Sequence, residues 1–265
     1  MTGAVRALAW RLALVLSAVL NGAPAPAADL PASERRSGYD LMSPETRAMQ
    51  DDDAANPGML WVLDGEALWR RPEGPDRKSC ADCHGDPAIS MSGVAARYPS
   101  YDSALSRPID LEQRINSCRT QYQRATTLLY ENRDLLALTA FVAHQSKGQP
   151  IAVADDARSR SFIDAGRSIF ERRQGQLNLS CAQCHDDNWG KHLAGAPIPQ
   201  AHPTGYPLYR LEWQTLGSIR RRLRECFAGM RAEPYPGDAP EIVDLELFLA
   251  WRARGLPIET PAVRP

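Results

Sequence analysis

Two five-residue stretches decide how this chain is read: Cys80-Ala81-Asp82-Cys83-His84 and Cys181-Ala182-Gln183-Cys184-His185. Both are C-x-x-C-H, in which two thiols three positions apart reach the two vinyl carbons of one porphyrin while the next residue carries an imidazole under the ring. A zinc ribbon or a thiol redox pair uses C-x-x-C without needing that histidine. The pair predicts two covalently bound c-type haems, attached through Cys80, Cys83, Cys181 and Cys184, with His84 and His185 as axial iron ligands.

Comparison outward from the motifs shows one module written twice. Gly65 and Trp69 lie 15 and 11 residues before Cys80, and Gly166 and Phe170 lie 15 and 11 before Cys181. A glycine and an aromatic four apart share a helix face, and the glycine permits another helix to approach closely. Downstream, Leu135, Leu138 and Phe141 precede Gly148 by the same distances at which Ile242, Leu245 and Phe248 precede Gly255. That spacing predicts a terminal helix with one apolar stripe, capped by glycine and followed by Pro150 or Pro257. Each copy therefore reads as helix, haem motif, irregular loop, short helix and terminal helix, a pattern that resembles the cytochrome c fold. Little of the sequence alternates with period two, so the expected class is all-α, with two tandem cytochrome c-like domains at 57–152 and 153–265. A hinge is expected at 149–156, and the polar segment 28–56 reads as an N-terminal arm that wraps the domains or is partly disordered.

Composition sets the setting. With 265 residues, 43% of them hydrophobic, the chain is long enough to bury a core, and 31 basic against 32 acidic residues exclude the cationic surface that drives nonspecific nucleic-acid binding. Residues 1–27 read as a signal peptide, with Arg6 and Arg11, the apolar run 12–20 and the small-residue site Ala25-Pro26-Ala27. That run is too short to span a bilayer, which takes about 20 apolar residues, so the expected location is the periplasm without a membrane span.

Four attachment cysteines leave Cys118 and Cys226, one per copy, each four residues after an arginine, Arg114 or Arg222. Matched placement favours thiolate ligation of each iron over a disulfide between the copies or inert buried thiols. Met91, Met230, His144, His192 and His202 remain as conventional alternatives; Met230 sits four residues after Cys226, where the first copy has Tyr122. Thiolate lowers the reduction potential of ferric iron, which suits sulfur chemistry better than simple electron shuttling. Five arginines crowd Cys226, namely Arg220, Arg221, Arg222, Arg224 and Arg231. At i−4 on a helix, Arg222 shares the cysteine's face, where it could hold an anion and favour thiolate over thiol.

The chain resembles the SoxA family, the catalytic c-type cytochrome subunits of sulfur-oxidising systems. The resemblance is carried by Cys181-Ala182-Gln183-Cys184-His185, Arg222 with Cys226, Met230-Arg231-Ala232-Glu233, Leu245-Glu246-Leu247 and Gly255-Leu256-Pro257-Ile258-Glu259-Thr260-Pro261-Ala262-Val263-Arg264. It implies oxidative coupling of thiosulfate to a cysteine of a SoxYZ-like carrier protein, with a SoxX-like monohaem cytochrome subunit as heterodimer partner and a soluble cytochrome c as acceptor. It further implies Cys226 as the persulfide-bearing active-site residue, Arg222 as a thiosulfate ligand, Arg252 as a lesser anion candidate, and His84 with Cys118 on the first haem. Two other readings stand beside it: a two-haem electron carrier without substrate chemistry, and a two-haem peroxidase with an open iron site.

Overall fold

The residue before each haem motif starts its helix. Ser79 and Ser180 are N-caps whose hydroxyls accept from the amides of Asp82 and Gln183, while those two side chains return a bond to the serine amides. These reciprocal boxes tie down otherwise unpaired amides and make rigid single turns of Cys80–His84 (α3) and Cys181–His185 (α8).

The computed structural model describes residues 29–265; the signal peptide read at 1–27 lies outside them. The helices are α1 (Pro44–Asp51), α2 (Met59–Arg70), α3, α4 (Pro87–Ser90), α5 (Leu111–Cys118), α6 (Arg133–His144), α7 (Arg160–Glu171), α8, α9 (Ile219–Gly229) and α10 (Pro240–Arg252). The all-α expectation is corrected by seven short strands, β1 (Ser100–Asp102), β2 (Arg107–Ile109), β3 (His192–Leu193), β4 (Ala196–Pro197), β5 (Leu208–Arg210), β6 (Thr215–Gly217) and β7 (Val263–Arg264). They form the hairpins β1-β2 and β3-β4 and a three-stranded sheet ordered β6-β5-β7. Strands of two or three residues are too short to show a period in sequence, which is why they escape a pattern reading.

Both copies are built on one helix crossing. A Cβ on Gly65 would drive into the Ala137 carbonyl and come within 2.6 Å of Phe141 Cβ, and one on Gly166 would meet the Asp244 carbonyl and come within 2.8 Å of Phe248 Cβ. Only hydrogen fits where α2 rests on α6 and α7 on α10. One turn later the aromatic residues reach the motif histidines, Trp69 at 5.5 Å from His84 and Phe170 at 6.4 Å from His185 between ring centroids. The terminal helices differ from the single stripe expected: every residue from Leu135 to Ala143 is buried on α6, and α10 is nearly as enclosed. They end at His144 and Arg252, short of Gly148 and Gly255, whose φ values of 83° and 87° turn the chain instead.

The segment expected to be a hinge is fastened. Gly148 and Ile151 donate to the carbonyls of Ile258 and Leu256 at 2.8 and 2.9 Å, while Gly255 and Ile258 donate to those of Ile151 and Gln149 at 3.0 and 2.9 Å. The four bonds are symmetric around an antiparallel bridge between Pro150 and Pro257, the same position in the two copies. Residues 29–56 lie on the second copy: Arg36 donates its amide to Gln200 Oε1 at 2.7 Å, and Asn56 donates Nδ2 to the Pro261 carbonyl at 2.8 Å.

Between the copies lies a buried charge cluster. Arg220, on α9, donates to Asp110, the N-cap of α5, and lies 3.2 Å from Glu246 on α10, with Tyr130 stacked 4.2 Å away. Glu112 is buried beside them, and burial holds it well above the ordinary carboxylate range, with Asp110 adding to the shift. Three carboxylates face one guanidinium, so the cluster retains protons.

Two expectations follow. Gly166→Ala should cost about 2 kcal/mol or more by forcing α7 off α10, read as a lower thermal midpoint. Burial foremost holds Glu246 above its ordinary 4.5, up to about 8, with Arg220 opposing and Asp110 reinforcing. The folded chain then keeps a proton that the unfolded chain has lost, so stability falls as pH rises from about 4.5 to about 8. Glu246→Gln should flatten that part of the profile in melts across the window.

Candidate haem sites and active site

The first motif faces a cavity of about 720 Å³ whose walls include Cys80, Cys83, His84, Met91, Leu111 and Cys118. Its volume lies within the range of about 300–1,000 Å³ usual for small-molecule and cofactor pockets. All six cysteines are free, which removes the disulfide between Cys118 and Cys226. Cys118 closes α5 and leads into a π-helical turn, Arg119–Gln123. The Gln123 carbonyl then covers Gly74, as the Met230 carbonyl covers Gly175 in the second copy. Gln123 follows its cysteine by five residues and Met230 by four. The wide turn thus absorbs a one-residue insertion. Arg114 does not face the cavity as a free cation, since its Nη2 lies 2.6 Å from Asp102 Oδ2 and its Nε donates to Tyr98 Oη at 3.2 Å.

The second motif faces a narrower cavity of about 160 Å³, shared by His185, Cys226, Arg222, Arg210, Tyr206 and His202. The segment after His185 accounts for the narrowing. Seven residues longer than its counterpart, it carries β3 and β4, and Pro197 and Pro199 form part of the wall. It also sets the histidine: Nδ1 of His185 lies 2.6 Å from the Pro199 carbonyl, so Nδ1 carries the proton and Nε2 keeps its lone pair. Burial lowers the His185 pKa, with the Pro199 bond opposing and Arg222 and Arg252 adding, which keeps the ring neutral as a metal ligand requires. A neutral imidazole with a free Nε2 and a further cysteine on the same cavity, with the two motif thiols on the turn that carries the histidine, is a donor set that fits a c-type haem.

Burial also pushes the Cys226 thiol up, Arg222 opposing and Glu225 reinforcing. Arg222 acts on the thiol in the expected direction, toward thiolate, while burial acts the other way and is the larger cause. Tyr206 is raised to about 12, chiefly by burial, and stays a phenol.

Of the five arginines around Cys226, the cavity takes only Arg222. Arg220 is committed to Asp110 and Glu246, Arg221 lies 4.2 Å over the Trp213 ring, and Arg224 is exposed. Arg252 holds Asp186 at 2.5 Å and lies over the Phe170 ring at 4.6 Å, so it braces α8 and binds no free anion. Met230 belongs to the core with Phe227. His144 lies 3.2 Å from the Thr260 carbonyl, His192 is exposed on β3, and His202 lines the second cavity with Nδ1 bonded to the Arg36 carbonyl at 2.7 Å. The residue that sequence reasoning missed is Arg210, which the cavity shares with Arg222 and Cys226. Its signal was available in the repeat, where Asp102 and Arg210 both lie 16 residues before the matched cysteine.

A haem-motif turn seated beneath a glycine-crossed helix pair, with a second cysteine facing the same cavity, defines a c-type cytochrome of duplicated fold. A family model described as SoxA/TsdA, cytochrome c domain, matches residues 64–151 and 165–258. The L-cysteine S-thiosulfotransferase subunit SoxA of Rhodovulum sulfidophilum is 39% identical, over 93% of this chain and 86% of that protein. That of Pseudaminobacter salicylatoxidans is 38% identical, over 88% and 82%. The crystal structure of SoxXA from P. pantotrophus superposes with a TM-score of 0.84 at 30% identity, covering 87% of each chain. The chain belongs to the SoxA family.

The two kinds of arginine should separate in unfolding. Arg252→Met strands Asp186 and uncovers Phe170, at a cost of about 2–3 kcal/mol. Arg222→Gln, which loses only a half-exposed bond to Glu225, should leave the thermal midpoint nearly unchanged.

Proposed function

We propose that this chain is the catalytic subunit of an L-cysteine S-thiosulfotransferase, joining thiosulfate to a cysteine of a SoxYZ-like carrier protein in the periplasm. The observation that carries the reading is the meeting of Cys226, Arg222 and His185 on one cavity in a chain of the SoxA family. One S–H bond of the carrier thiol is lost, one S–S bond to thiosulfate forms, and a proton and two electrons leave.

Haem, when bound, supplies a one-electron acceptor. Cys80 and Cys83 would hold one and Cys181 and Cys184 the other, with His84 and Cys118, and His185 and Cys226, as the residues that would bind each iron. Two electrons per S–S bond call for a further acceptor beyond the haem of the second copy, which is the place of a SoxX-like monohaem subunit and, after it, a soluble cytochrome c. The likeness to a chain of SoxXA supports that partner. Among the chain's own residues, Cys226, as a persulfide, is the active-site residue. Arg222 holds the sulfonate end of thiosulfate, and the Pro199 carbonyl keeps His185 oriented while burial keeps it neutral. Met230, the methionine that a simple carrier would draw on here, is committed to the core.

Cys226→Ala should abolish thiosulfate-dependent turnover with the carrier, while intact mass still shows both haems covalently attached. Near-normal turnover in that variant would reject the assignment.

A further inference from the structure

The two copies superpose in register from the first hairpin to the ligand helix. β1 and β2 correspond to β5 and β6, Asp110 to Ser218 as N-caps, and Tyr98, Arg114 and Cys118 to Tyr206, Arg222 and Cys226, all at an offset of 108. Within this frame one charge is reversed. Asp102 ends β1 and Arg210 ends β5, each paired across its hairpin with the first residue of the next strand, Arg107 or Thr215.

In the first copy the acid neutralises the helix arginine: Arg114 Nη2 donates to Asp102 Oδ2 at 2.6 Å, and Tyr98 completes the pair. In the second copy a guanidinium stands where that carboxylate would be. The acid nearest Arg222 is Glu225 of its own helix, at 3.2 Å, and that nearest Arg210 is Glu212, at 3.0 Å, whose side chain is 67% exposed; Arg210 also lies 5.3 Å over the Trp213 ring. Arg210 is itself 13% exposed at its side chain, and its Nε is buried without a hydrogen-bond partner. Burial foremost, and then the charge of Arg222, pull its pKa down. Three guanidiniums, Arg210, Arg222 and Arg264, and the Tyr206 hydroxyl thus border one cavity with Cys226; Arg264 is paired with Glu259, which leaves Arg210 and Arg222, and no Asp or Glu lies among the walls. Like charges so enclosed repel one another and are relieved by a doubly charged anion.

We propose that Arg210 is a substrate-binding residue: with Arg222 and Tyr206 it forms a dianion clamp that seats the sulfonate of thiosulfate beside Cys226, at the position that the Asp102 carboxylate occupies in the first copy. This rests on the thiosulfate-coupling function proposed above and names the residue that makes only one of the two copies a substrate site. The first copy has its own built-in anion and admits no other.

The test is calorimetric titration of thiosulfate into the oxidised holoprotein with no carrier present, alongside KM and kcat with carrier. Arg210→Gln should weaken thiosulfate binding about tenfold, and KM should rise in step. Arg210→Asp, which rebuilds the first copy's ion pair with Arg222, should weaken it further, about a hundredfold. Arg210→Lys should recover part of the loss, and Arg224→Gln, an exposed charge outside the cavity, should bind as the wild type does. Haem content and thermal midpoint report whether each variant is folded; should Arg210→Asp fail to fold, the Gln and Lys variants decide. Thiosulfate binding to Arg210→Gln or Arg210→Asp within twofold of wild type would overturn the clamp, as would absence of binding by the wild type. Binding that follows the expected order in a protein that never couples thiosulfate to the carrier would keep the clamp and reject the function.

Discussion

Twice a helix rests on another helix's backbone carbonyl over a glycine, Gly65 on Ala137 and Gly166 on Asp244. Everything that positions the sites follows from it. Close contact brings the aromatic one turn further on, Trp69 or Phe170, against the motif histidine. The serine-capped turn carries the two thiols, and a second helix brings Cys118 or Cys226 to the cavity that the motif histidine lines. The cofactor cradle is thus a consequence of core packing, because the core glycine and the ring that touches the histidine lie on one helical turn.

Joining the copies is a separate problem, solved by pairing like with like. The segments around Pro150 and Pro257 exchange four hydrogen bonds in a symmetric set, and the starts of α5 and α9 meet through Asp110 and Arg220. Their first residues meet in the cluster of Asp110, Glu112, Arg220 and Glu246, and their cysteines lie in separate cavities. Glu112 and Arg220 occupy the same position in the two copies, so the seam tolerates opposite charges at matched places. Ion pairs of this kind contribute little net stability against well-packed apolar groups, yet are costly to break on one side only. The cluster therefore fixes which faces meet more than it adds to stability.

Much of this was legible beforehand because it depends on spacing. The glycine-to-aromatic interval, the motif turns, the terminal helices and the free, matched cysteines all read directly from the repeat. Short strands were not legible, since β5 gains its place from pairing with both β6 and the distant β7. The linker at 149–156 has a loop's composition, and only the symmetric partner segment shows why it is held. Arginines near Cys226 were legible as a group, but sorting them needed the acids each one meets, and those acids come from other elements: Asp110 for Arg220, Asp186 for Arg252. The extra residue between Cys118 and Gly148 was visible as a count, whereas its absorption in a π-helical turn was visible only in the backbone.

Duplication gives the two sites one backbone and leaves side chains to tell them apart. The hairpin, its turn to the ligand helix and the arginine one turn before the cysteine recur in both copies. A change at the end of one strand, Asp102 against Arg210, converts a closed ion pair into a pocket with excess positive charge. The longer segment after the second histidine narrows that pocket and supplies the Pro199 carbonyl that fixes His185. Both changes lie in loops and strand ends, where a new side chain disturbs no helix packing, so an electrostatic difference between the two sites is obtained without altering the core. In the second copy Cys226 is buried one turn after Arg222 on a cavity that also carries Arg210, so the clamp proposed above would bring an anionic substrate next to the cysteine without any change in the helices that hold it.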